Sequence, residues 1–123
     1  MSNADQIRAF HEAMLDIYRR RLAVSPLLAY SASAFWLEIC EFGGLETAKR
    51  LIHNEEVGVG FVALCQFERL DLTLEALIHD NPEWHALFSK DELAVCAARL
   101  RRYGYQTVGR RLPADSSLDS NVA

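Results

Sequence analysis

The stretch from Phe61 to Ile78, FVALCQFERLDLTLEALI, restricts the fold more than any other part of the chain. Its first half, Phe61 to Phe67, is apolar on every side of a helix, the mark of an element surrounded by protein. From Asp71 onward one face is apolar and the other polar. The expectation is a central buried segment followed by a helix packed on its edge. The run GVGFVALC also fits a short buried strand. Helix is preferred because no second strand-like run exists to pair with it.

Helical spacing recurs on both sides of this stretch. Ile7, Phe10, Met14, Ile17, Tyr18 and Leu22 form one stripe of a first helix, with Ser2 or Asn3 as cap and Gln6 completing a capping box. Arg21 falls inside that apolar stripe. Its stem either lies along the core with the guanidinium reaching out, or the guanidinium meets a carboxylate from another helix. Pro26 ends the helix. A second helix, capped at Ser31 or Ser33, presents Phe35, Ile39 and Phe42 to the core, widened by Trp36 and Cys40. Gly43-Gly44 ends it in the left-handed conformation. A third helix buries Leu45, Ala48, Leu51 and Ile52 and pairs Glu46 with Arg50 outside. Pro82 opens a short turn anchored by Trp84, Leu87 and Phe88. Ser89-Lys90-Asp91-Glu92 is a capping box for a last helix burying Leu93, Cys96, Ala97, Leu100 and Tyr103 and stopping at Gly104.

These elements predict an all-α fold: a compact single domain of six or seven short helices around a buried central helix. The domain spans residues 1–105, and residues 106–123, small and polar, read as a disordered tail. At 123 residues such a chain can build a core without metal or disulfide staples. No apolar run reaches the ~18 residues of a membrane span, and the N-terminus lacks the apolar core of a secretion signal. Three widely spaced cysteines, Cys40, Cys65 and Cys96, read as reduced core thiols in a cytoplasmic protein.

Three function classes follow from the chemistry-bearing residues. Asp71, Glu75 and His79 recur at i, i+4 and i+8, a line of metal-ligand or acid–base types. The plainer reading makes Asp71 a helix cap and Glu75–His79 an exposed pair, so neither a metal nor a cofactor is expected. Nucleophilic catalysis lacks a Gly-x-Ser-x-Gly elbow, and Gly58 and Gly60 are followed by no phosphate-loop lysine. His11 reads as a packed histidine. The chain is therefore not expected to be an enzyme.

The second class is nucleic-acid binding. Net charge is −4 but uneven: residues 38–92 carry twelve acids against four bases, while residues 93–123 carry five arginines against two acids. Arg99, Arg101 and Arg102 on the last helix are candidates to meet phosphates, although they spread around it. The third class, and the preferred one, is a protein-interaction or regulatory module. Trp36, Trp84 and Phe88 are either interface anchors or core residues, since they are large for so small a core, and the opposite charges of the middle and the C-terminal end suit self-association or a protein partner. The candidate partner-binding residues are thus Arg99, Arg101, Arg102, Trp84 and Phe88.

One resemblance spans nearly the whole ordered chain. The segments GGLETAKRLI (43–52), Gly60-Phe61 with Leu64, RLDLTLEALI (69–78), LFSKDEL (87–93) and RLRRYGY (99–105) form a connected pattern. With FHEAMLDIYRR (10–20) and SAFWLEI (33–39), they resemble a family of short, uncharacterised bacterial helical proteins. The resemblance implies a compact bacterial cytoplasmic protein and carries over no catalytic residue.

Overall fold

Serine and proline set the first boundaries. In the computed structural model, which describes residues 2–105, the Ser2 hydroxyl accepts the Asp5 amide at 3.2 Å and opens α1, Asn3–Val24. Ser25, extended before Pro26, stops it and then caps a 3-10 turn over Pro26–Leu28 by accepting the Leu27 amide. That turn runs straight into α2, Ala29–Phe42, which has no side-chain cap. Ser31 and Ser33 therefore sit inside the helix rather than at its start, because the proline-led turn already supplies the nucleus that a cap would stabilise.

Gly43, at φ 86°, turns the chain into α3, Gly44–His53. A Cβ at Gly44 would stand 2.7 Å from the His11 backbone, so glycine is what lets α3 approach α1 there. The His11 Nδ1 accepts the Gly44 amide at 2.9 Å, the packed role expected of it. α4 covers Val59–Gln66 as a helix. A 3-10 turn at Leu70–Leu72 leads to α5, Leu74–Asp80, and another at Pro82–Leu87 leads to α6, Lys90–Arg102. The Ser89–Glu92 capping box is present in full, and Gly104 is left-handed at φ 82°. Among the described residues there is no strand, and no helix is long and apolar enough to cross a membrane. The expected tail, residues 106–123, lies outside the described residues.

α1 lies against α2 and α3, while α5 packs on α6. Phe10, Met14 and Ile17 meet Phe35, Ile39, Ala48, Ile52, Leu74 and Ile78 in one core. Trp84 and Phe88 belong to that core too. Both set their rings edge-on to Phe10, at 5.4 and 5.5 Å. Of their two readings, interface anchor and core, the core one is realised: the proline-led turn folds beneath α1, held where Gln6 donates to the Glu83 carbonyl and His85 to the Ile78 carbonyl. Trp36 is half-buried against Tyr18.

The all-α architecture stands, but its centre is displaced. In α4 only Phe61 and Leu64 are buried, whereas Val59 and Val62, and Phe67 just beyond its end, are exposed. The burial falls instead on Leu70 to Ile78, where all but Asp71 and Leu77 are buried. Two turns of helix cannot be enclosed on all sides when they lie at the margin, however apolar they are. Three other expectations fail for a related reason. Phe42 lies under the Arg50 guanidinium, 3.8 Å from its ring, and is partly exposed, as is Tyr103; Cys40 is exposed.

Candidate ligand-binding cavity

The expected metal line does not form. Its spacing presumes one helix through Asp71, Glu75 and His79, but α5 begins only at Leu74. Thr73 is the cap, accepting the Ala76 amide at 3.1 Å while its own hydroxyl donates to the Leu70 carbonyl. Asp71 sits on the preceding turn, bound by both ends of the Arg69 fork at 2.9 and 3.0 Å, a contact that holds its carboxyl below the ordinary range. Glu75 is buried and receives Arg99 Nη1 at 3.0 Å, so it is no exposed partner of His79. Among the described residues no three His, Cys, Asp or Glu side chains are grouped to hold a metal.

Arg99 is the second correction. Expected at the solvated flank of α6, it is buried and donates to Glu75 and to the carbonyls of Leu51 (3.0 Å), Ile52 (3.2 Å) and Asn54 (2.5 Å). Those carbonyls close the end of α3, where a helix presents unsatisfied oxygens and the negative end of its dipole. One guanidinium thus caps α3 and neutralises a buried carboxylate of α5. Of the three arginines expected to spread around α6 in solvent, only Arg101 and Arg102 are exposed.

The site that emerges is a cavity of about 330 Å³ between α2, the first turn of α4 and the start of α5. Phe35, Leu51, Phe61 and Leu74 form apolar walls, and Tyr30 (87% exposed) and Val59 (73% exposed) stand at its rim. Arg21 and Glu75 are its buried charged residues. Arg21 is only 6% exposed. Its Nε donates to the Leu72 carbonyl at 3.0 Å and its guanidinium carbon lies 4.1 Å from the Phe35 ring centre. Arg21 falls between its two expected roles: its stem is buried, its head opens onto the cavity rather than onto the outer surface, and it makes no direct ion pair. Among the described residues its Nη1 and Nη2 have no hydrogen-bond acceptor.

Gly60 brings backbone to this guanidinium. A Cβ on Gly60 would lie 3.6 Å from Arg21 Nη1, so the α4 backbone passes directly beside the spare donors. The N-terminus of α4, at Gly58, carries no side-chain cap, so the first amides of the helix are left without one. Burial lowers the Arg21 pKa to about 10, against the attraction of Glu75. Burial likewise pushes the Glu75 carboxyl above its ordinary value, opposed by its hydrogen bonds and by Arg99 and Arg21.

In the sequence Arg21 lies in an apolar stripe with no motif beside it to mark a site. The usable signal was the charge inside the stripe together with Gly58-Val59-Gly60, side-chain-poor residues ahead of an apolar helix. What joins them, a contact between residues 21 and 60, is not periodic and leaves no mark on either segment. No family model, no curated protein and no solved structure matches this chain.

Proposed function

We propose that this chain is a small regulatory module, and that its working site is the Arg21 cavity, which binds a small molecule without transforming it. The observation that carries this is a buried guanidinium with spare donors facing an apolar cavity. Donors that line a cavity and have no protein acceptor are available to a ligand, and the guanidinium fixes its orientation while the apolar walls take its body. The volume lies at the small end of the range for small-molecule sites. The test is ligand-induced stabilisation of the wild type, of Arg21→Met and of Ala34→Trp, which places a large ring at an exposed position of the cavity lining. A ligand at a hundredfold excess over its Kd should raise the melting temperature of the wild type by about 10 °C. Both variants should lose that shift. Equal shifts in all three proteins would remove the cavity from consideration.

A protein partner remains the second reading, with a different surface from the one expected. Tyr30 and Leu37 share a face of α2 and are strongly exposed, as are Leu27 and Val59 nearby. Association through this face would be apolar and insensitive to salt, and Tyr30→Lys would abolish it. For nucleic acid, the remaining support is Arg101 and Arg102, a pair of exposed charges on one helical turn. The bacterial, cytoplasmic setting implied by the sequence resemblance suits any of these readings.

A further inference from the structure

We infer that the ligand of the Arg21 cavity is a small organic acid, its carboxylate held between the Arg21 guanidinium and the first turn of α4, its apolar body lying among Phe35, Leu51, Phe61 and Leu74. This rests on the reading of the cavity as a ligand site and adds the class of ligand. Two independent features meet at one place. The uncapped N-terminus of α4 offers amides and the positive end of a helix dipole, a ready site for an anion. Beside it lies a guanidinium more than nine-tenths buried, with Nη1 against Gly60 and both Nη groups without acceptors among the described residues. A planar carboxylate matches the fork of a guanidinium with two parallel hydrogen bonds.

The charge count limits the ligand further. Arg21 and Glu75 are the buried charges that line the cavity, and Glu75 is already paired with Arg99 at 3.0 Å. Arg21 is thus the buried charge of the lining without an ion-pair partner, and one carboxylate matches it. A dianion would put a second charge beside Glu75 and beneath Glu38, which also lines the cavity. The walls are aliphatic and aromatic, and they suit an alkyl chain or a single ring. A bare inorganic anion would leave them unused.

Calorimetry on the full chain separates these statements, with hexanoate, hexanamide, hexylamine and inorganic phosphate as probes. Hexanoate should bind, with hexanamide at least tenfold weaker and hexylamine and phosphate weaker still. Arg21→Met should bring hexanoate down to the level of the amide. Gly60→Ala is a second variant that leaves the arginine in place and adds a methyl at ordinary contact distance from Nη1; it should weaken hexanoate about tenfold and hexanamide little. Equal binding of hexanoate and hexanamide, both lost in Ala34→Trp, would overturn the acid and leave the cavity reading intact. So would a preference for hexylamine or phosphate that is lost in the same variant. No binding of any probe, or binding untouched by Ala34→Trp, would overturn both.

Discussion

Arg21 meets one protein carbonyl with its five donors, and the cavity is where the others open. The lowering of its pKa from 12.5 to about 10 corresponds to roughly 3 kcal/mol of unfavourable burial. Because a base is involved, that penalty is fully present below pH ~10 and is relieved as pH rises from there toward the unfolded value. Arg21→Met removes it, at the loss of the Leu72 hydrogen bond, worth about 1–3 kcal/mol with the carbonyl left unpaired. The unliganded variant should therefore match or exceed the wild type in urea unfolding. A fall of more than about 2 kcal/mol would mean that Arg21 is a structural residue. Glu92 gives the opposite case. Burial works against its charge, but the Ser89 amide, His53 and Lys49 overcome that and hold its pKa down to about 2. Its stabilisation is present above the unfolded value of 4.5 and is lost as pH falls toward 2. Glu92→Gln should cost about 2–3 kcal/mol at pH 7 and almost nothing at pH 2, read from unfolding curves at both pH values. Among the thiols, burial pushes Cys96 up to about 12, while Cys40 is exposed. Iodoacetamide should label Cys40 first, as peptide mass mapping would show.

At the scale of elements, the helices are held more by their ends than by their faces. Ser89→Ala should cost about 1 kcal/mol through the lost cap of α6. Arg99→Met should cost far more, about 3–5 kcal/mol, because it strands the buried Glu75 carboxylate and frees three carbonyls at the end of α3. A loss below about 1 kcal/mol would contradict that double role. The same distinction explains what was legible in the sequence. The Ser89–Glu92 box, the Gly43 and Gly104 turns and the Glu46–Arg50 pair depend on neighbours three or four residues away, and all are found. Arg99 and Glu75 differ from their expected exposed positions, and Trp84 and Phe88 could not be assigned to core or surface, because their partners lie in other elements. Spacing along α6 could not distinguish an arginine facing water from one facing the end of α3. The Asp71–Glu75–His79 line failed at a boundary: Thr73, not Asp71, caps α5, and the shift breaks the spacing.

For the whole molecule, one ion pair among the described residues joins the basic C-terminal end to the acidic middle, Arg99 with Glu75, whereas Lys49–Glu92 and Arg69–Asp71 lie within the middle itself. The salt-sensitive self-association expected from opposite charge thus loses its main cation, and the exposed apolar residues around Tyr30 and Val59 become the feature that packing leaves unexplained. They stand at the rim of the one cavity that also holds Arg21 and Glu75. Amide and guanidinium chemical shifts under titration with hexanoate report on that cavity directly. If it is the binding site, the amides of Val59, Gly60 and Phe61 and the Nε–H of Arg21 will move together and saturate with one affinity, while Arg101 and Arg102 stay still. Shifts confined to Arg101 and Arg102, or a Gly60 amide and Arg21 Nε–H that do not move at saturating acid, would contradict it.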